Sequence, residues 1–150
     1  MENVSIKEAS EKDIPIILGL LYDLERPKPK TDSEVDSFRN LVKKYLKDSD
    51  KKILIAVVND VKIIGMISIV FLSRLNHDSL ELYVPEIIVL EKYRKHGIGK
   101  KLVDFCIALG KEKNCHRIRL ESGYQRKDSH QFYRSLGFEQ SALSFSKNLK

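Results

Sequence analysis

No tryptophan occurs in the 150 residues of this chain, and cysteine occurs only at Cys106 and Cys115. Two cysteines are too few for a disulfide framework. Reduced thiols, as in a cytosolic protein, are the expectation. Cys106, Cys115 and His116 lack the spacing of metal ligands, so no metal site is expected. No apolar run approaches the ~18 residues that a membrane span needs. The opening MENVSIKEASEKD carries no apolar signal segment, and the expected location is the cytoplasm. The chain also lacks the G-x-S-x-G elbow of a serine hydrolase. Internal repeats and low-complexity segments are missing too.

What is present describes a globular protein. Hydrophobic residues make up 42% and charged ones 32%. The length suits one domain, taken as 1–150. A net charge of +6 suits an anionic ligand. The basic residues are scattered and no aromatic-basic motif accompanies them, which argues against a nucleic-acid partner.

The elements can be placed in order. Val4 to Ile6 alternates as a short strand. Ser10 is placed to cap a helix whose stripe is Ile14, Ile17, Leu18, Leu21 and Leu24. Pro27 and Pro29 end it. Asp32 or Ser33 is expected to cap a second helix, carrying Val35, Phe38, Leu41, Val42, Tyr45 and Leu46. Ile53–Val58 and Val61–Leu72 read as strands of a hairpin turning at Asn59-Asp60. Gly65 within the second suggests a bulge or a close approach. A further strand runs through Tyr83, Glu86 and Val89. Arg117–Glu121 alternates strictly as a strand, a short helix covers about 128–136, and Phe138–Phe145 reads as a last strand. The order is β-α-α-β-β-β-α-β-α-β. That predicts an α/β (α+β) fold, a mixed sheet with helices on both faces.

The informative stretch is Pro85 to Leu109. An apolar strand, Glu86 to Leu90, leads into Arg94-Lys95-His96-Gly97-Ile98-Gly99-Lys100. A helix follows, with Ile98, Leu102, Phe105, Cys106 and Leu109 on one face. A strand feeding a glycine loop that opens a helix presents unpaired N–H groups and a positive dipole end to phosphate. The loop is not a P-loop: no glycine lies five residues before Gly99, and Lys101 follows Lys100. Nor is it a dinucleotide fingerprint, because Leu102 stands where the third glycine belongs. It does fit Arg-x-x-Gly-x-Gly through Arg94, Gly97 and Gly99. Downstream lies Phe132-Tyr133-Arg134-Ser135-Leu136-Gly137-Phe138.

On these two motifs the chain resembles the GNAT superfamily of acetyl-CoA-dependent N-acetyltransferases, from about Gly65 onward. The resemblance implies a mostly antiparallel GNAT sheet, acetyl-CoA as acetyl donor, and direct transfer to a primary amine of a small molecule or peptide. It implies that the backbone N–H groups of Lys95 to Lys100 grip the pyrophosphate, with Arg94 adding charge around it. It assigns Ile87, Ile88 and Val89 to the pantetheine arm, the Val89 N–H aimed at the thioester carbonyl, along an edge where that strand splays from the Arg117 strand. Tyr133 is implied as general acid for the leaving thiolate; it also reads as a core aromatic. The family often has asparagine seven residues before this tyrosine, where Arg126 stands here and could serve the phosphates. The base is left between Glu121 and Glu86, and both also read as exposed strand carboxylates. His130, one turn from Tyr133, could face the site or lie on the helix surface. The early helical region often borders the acceptor in such proteins, which makes Glu25, Arg26 and Tyr45 candidates for substrate contact. Members often dimerise, so a homodimer is compatible. The alternative from another class is a degenerate domain that binds CoA or a protein partner as a sensor.

Overall fold

A computed structural model of the chain describes residues 3–24 and 26–150. It divides into two compact units, 1–119 and 120–150. Glu25, a substrate-contact candidate, lies outside the described residues.

The first unit is built on the sheet. Its elements are β1 (Val4–Glu8), α1 (Ile14–Asp23), α2 (Asp32–Lys47), β2 (Lys51–Val58), β3 (Lys62–Ser73), β4 (Leu80–Val84), β5 (Ile87–Val89), α3 (Ile98–Glu112) and β6 (Arg117–Leu120). The strand order is β1-β2-β3-β4-β6, with β5 also paired to β3. The pairings of β1 with β2, and of β3 with β2, β4 and β5, are antiparallel.

Local chemistry explains the joints. Asp13 Oδ2 accepts the Ser10 N–H at 2.9 Å where a 3₁₀ turn leads into α1, and Pro15 sits in the first turn of α1. The cap of α2 is Thr31, not Asp32 or Ser33: its Oγ1 accepts the Glu34 N–H at 3.1 Å. Asn59 and Asp60 turn the hairpin with φ of 53° and 61°, the left-handed pair that a two-residue hairpin turn requires.

Two helical layers flank the sheet. Ile53, Ile55, Val57, Met66 and Ile88 pack with Ile14, Ile17, Leu18 and Val42 of α1 and α2. On the opposite face Leu82 lies against Gly110 of α3, where an added Cβ would come within 3.2 Å of it. All six residues of Ile53–Val58 are buried, which explains why β2 reads as an unbroken apolar run.

The strand expected through Tyr83, Glu86 and Val89 is broken. Tyr83 stands opposite Val70 in β3. Glu86 stands opposite Ser68, whose N–H donates to the Glu86 carbonyl at 2.9 Å. Val84 and Pro85 thus stand opposite the single residue Ile69, a bulge. Proline has no N–H to give to the ladder. A second irregularity lies between Ala56 and Val57, opposite Gly65. There β5 comes so close that a Cβ on Gly65 would lie 2.9 Å from the Ile88 carbonyl oxygen. Both readings of Gly65 hold.

The second unit carries α4 (Lys127–Ser135). The Gly137 N–H donates to the Arg134 carbonyl at 3.0 Å and the Phe138 N–H to that of Tyr133 at 3.1 Å, with Gly137 at φ 90°. This is the Schellman termination expected of that glycine. The strand expected over 138–145 does not form. The segment is exposed and irregular, with Phe145 90% accessible. Alternation alone does not make a strand without a partner edge to complete its hydrogen bonds.

Candidate active site

The loop between β5 and α3 turns on its glycine. A 3₁₀ turn over Glu91–Tyr93 ends β5, and Lys95 turns the chain with φ 63°. Gly97 is the N-cap of α3 at φ 80°, and a Cβ there would meet nothing within 4 Å. The glycine serves the backbone turn and leaves open space in front of the helix end. Ile98, 1% exposed, fastens the first turn to the core. The first bond back is from the Lys101 N–H to the Gly97 carbonyl at 3.1 Å. The N–H groups of Ile98, Gly99 and Lys100 precede it at the positive end of the dipole. Lys95 and His96 are exposed beside them.

Two loop cations are already engaged. Arg94 Nε donates to the Val89 carbonyl at 2.8 Å. The motif's arginine thus ties the loop to the end of β5. Lys100 Nζ pairs with Asp104 Oδ2 at 2.6 Å on the exposed helix surface.

The edge of β5 follows from its register. The Glu86 carbonyl accepts from Ser68 and the Leu90 N–H donates to the Ile64 carbonyl at 2.8 Å. Even-numbered residues of this segment therefore bond to β3. Ile87 and Val89 turn their N–H and C=O groups the other way. On that side β6 is paired with β4, and β5 has no strand partner among the described residues. That edge of β5 is therefore unpaired among the described residues, and the Val89 N–H points away from β3 along it.

Glu86 sits on the α1/α2 face. Its Oε1 accepts from Ser68 Oγ at 2.6 Å and its Oε2 from Arg26 Nη2 at 2.8 Å. Its own N–H donates to Ser68 Oγ at 2.9 Å. The carboxylate is thus fixed at both oxygens, with 22% of its side chain exposed. Arg26 also donates to the Pro85 carbonyl at 3.3 Å. Tyr45 of α2 donates to the Ile69 carbonyl at 3.0 Å. Burial first, then the charge of Glu86, holds the Tyr45 hydroxyl well above its ordinary value, so it is a neutral donor at physiological pH. Arg26 thus holds the Glu86 carboxylate directly, whereas Tyr45 bonds to the backbone of β3 at Ile69. Ser68 was missed. Its one signal was a polar residue inside the apolar run Ile63–Leu72; it is 2% exposed.

In the second unit Tyr133 packs against Phe132 and Phe138, with ring centroids 5.3 and 5.8 Å away. Burial raises its pKa and Arg126 acts in the opposite direction, leaving it raised. The phenol keeps its proton at neutral pH. His130 Nε2 lies 2.8 Å from the Gly123 carbonyl, which commits that ring to its loop. Glu121 follows the end of β6, exposed, and accepts from Ser144 Oγ at 2.7 Å.

The buried Cys106 has its thiol pushed up to about 12 by desolvation and is no nucleophile. Among the described residues no three His, Cys, Asp or Glu side chains converge as a metal site, and no helix is long and apolar enough to cross a membrane.

An unpaired strand edge thus runs into an open helix N-terminus, and a carboxylate held at both oxygens stands on the α1/α2 face. Comparison with known proteins gives the family. Residues 18–138 match the Acetyltransferase (GNAT) family, and the chain belongs to it. It is an acyltransferase of the N-acetyltransferase class. It is 25% identical over 144 residues to the aminoalkylphosphonate N-acetyltransferase of Salmonella typhimurium (strain LT2), covering 96% of this chain and 90% of that protein. Among solved structures it is similar to a transcriptional regulator from Bacillus halodurans C-125, with a TM-score of 0.86 and 27% identity over 98% of this chain and all of the other (100%). It shares its fold with the aminoglycoside N-acetyltransferase AAC(6')-Iy in complex with CoA, with a TM-score of 0.83 and 19% identity over 100% of this chain and 97% of the other.

Proposed function

We propose that the protein transfers acetyl from acetyl-CoA to the primary amine of a small molecule, by direct attack on the thioester. The observation that carries this reading is the unpaired edge of β5, with the Val89 N–H directed into it, running into the exposed N-terminus of α3. The backbone of 95–100 holds the pyrophosphate, Ile87 to Val89 align the pantetheine arm, and Arg126 contributes charge to the phosphates. The Val89 N–H polarises the thioester carbonyl as charge develops on it.

Glu86 takes a proton from the acceptor's ammonium, directly or through one water, and the neutral amine so formed attacks the thioester carbonyl. Ser68 and Arg26 fix its orientation. Glu121 is the second candidate base. Tyr133 returns a proton to the departing thiolate, a role that suits a phenol still protonated at neutral pH. The family match runs through both compact units, which supports reading 1–150 as one catalytic domain. The relative that acts on aminoalkylphosphonates supports a small acceptor over a peptide.

The test is the melting temperature with excess acetyl-CoA, with ATP and NAD as controls, followed by thiol release in an amine screen. Donor at 100 times its Kd adds about 2.7 kcal/mol, roughly a 5–10 °C rise for a domain of this size. No rise, or an equal rise with ATP, would overturn the donor assignment. A rise without thiol release for any amine would favour a CoA-binding sensor instead.

A further inference from the structure

Arg26 is pinned at both ends. Its backbone N–H donates to the Leu21 carbonyl at 3.2 Å, which ties it to the end of α1. Pro27 follows and favours extended backbone at Arg26. Its Nη2 donates to Glu86 Oε2 at 2.8 Å and to the Pro85 carbonyl at 3.3 Å. Both hydrogens of Nη2 are thereby used. Nε and Nη1 carry the other N–H groups of the fork, and these have no partner among the described residues. The side chain is 47% exposed.

The carboxylate beside it also keeps capacity. Glu86 Oε1 accepts from Ser68 Oγ and Oε2 from Arg26. A carboxylate offers about four lone-pair sites, and 22% of the Glu86 side chain is exposed. An ammonium can therefore bond to Glu86 without displacing either partner.

Charge order decides which amine fits best. An ammonium on Glu86 stands close to a guanidinium that shares the same carboxylate, and the two cations repel. A simple alkylamine leaves that repulsion unanswered. An acceptor with an anion near its amine sets negative charge against Arg26, and the four charges then alternate. With Oε2 and Nη2 2.8 Å apart, an ammonium on one and an oxyanion on the guanidinium lie roughly 3–6 Å from each other. A spacer of one to three carbons covers that distance. The loop beyond Arg26 has the same sign: Lys28 and Lys30 are exposed, and residues 26–31 include no acid.

We propose that Arg26 is the specificity-determining residue of the acceptor site, so that the preferred acceptors are short zwitterions, primary amines with a carboxylate or phosphonate one to three carbons away. The proposal rests on the acetyltransferase reading above, with Glu86 meeting the ammonium. Arginine suits the role because it stays charged at any working pH and is more weakly hydrated than an ammonium.

The experiment compares kcat/KM for β-alanine, 2-aminoethylphosphonate and propylamine in the wild type and in Arg26→Gln. A longer pair, 6-aminohexanoate and hexylamine, is added for the wild type. The wild type should prefer the short acids to propylamine and show no such preference in the longer pair. Preference for only one of the two short acids supports the proposal and names the oxyanion. Arg26 also orients Glu86, so the variant should turn over every amine more slowly. Its ratio of short acid to propylamine should fall about 10- to 100-fold as well, the range for losing one hydrogen bond to a charged group. An equal fall for all three amines would leave Arg26 as a positioning residue for Glu86 and overturn the proposal. Equal wild-type kcat/KM for the three would also overturn it while leaving the acetyltransferase intact. Loss of the acetyl-CoA melting shift in the wild type would instead overturn the donor assignment, and the proposal with it. If the variant fails to fold, the wild-type series decides: an acid preference confined to the short amines supports the pairing, and one equal in both series overturns it.

Discussion

Glu86, Tyr133 and Gly97 show how one residue answers to two demands. Glu86 is fixed by Ser68 and Arg26, and the same carboxylate is the one proposed to meet the incoming amine. Glu86→Gln keeps hydrogen-bonding capacity but cannot take a proton; kcat is expected to fall about 10²–10⁴-fold with acetyl-CoA binding retained. Glu121→Gln in parallel decides between the two carboxylates: the larger loss marks the base. Tyr133 both packs between two phenylalanines and is proposed as the acid. Tyr133→Phe retains the packing, so its melting temperature should hold while turnover drops by a similar factor, measured by thiol release. Gly97 sits at φ 80° with open space before it. Gly97→Ala puts a side chain into that space and costs about 1–2 kcal/mol for the left-handed backbone. Its clearest effect should be a weaker acetyl-CoA melting shift.

At the scale of the element, the interrupted β4–β5 line governs the site. The Val84-Pro85 bulge carries Glu86 to the α1/α2 face, and the unpaired stretch after it exposes the Val89 N–H. Gly65 permits the close approach of β5 to β3. Gly65→Ala would push a Cβ against the Ile88 carbonyl oxygen, a backbone atom that cannot swing aside. Overpacking of this kind costs about 1–3 kcal/mol. The melting temperature should fall by roughly 2–4 °C per kcal/mol, and donor binding should weaken because the shifted atoms belong to β5. The α2 cap is a simpler case. Thr31→Ala should remove about 1 kcal/mol of stability without touching turnover, checked by denaturant unfolding.

Across the whole molecule, charge links stability to pH through Glu81. Burial raises its pKa, but Arg119 and Arg117 outweigh that and hold it below the ordinary 4.5. A carboxyl depressed in the folded state stabilises fully above its unfolded value and loses that contribution as pH falls through its folded value. The melting temperature should therefore decline below about pH 4.5. Glu81→Gln should be less stable at neutral pH by about 1.5–3 kcal/mol, the value of a hydrogen bond to a charged group. Its melting temperature should decline less between neutral pH and acid. An identical decline in both proteins would place the acid sensitivity elsewhere.

Sequence alone determined what depends on neighbours along the chain. The turn into α3 was legible because a glycine at φ 80° leaves its signature at one position, Gly97. The hairpin at Asn59-Asp60, the stop at Gly137 and the periodic helices were legible for the same reason. Tertiary structure decided what depends on partners distant in sequence. Alternation predicted a strand over 138–145, yet a strand exists only where another edge completes its hydrogen bonds. The face of Glu86 could not be read, because a bulge shifts the parity of every residue after it. Ser68 and Arg26 meet that carboxylate across 18 and 60 residues of chain, and Tyr45 reaches the Ile69 carbonyl across 24. Arg117 and Arg119 read as the outward half of a strand, and only the burial of Glu81 beside them shows what their charge is held against. A side chain's periodicity is written in its own segment; its electrostatic partner is set by how the strands pair.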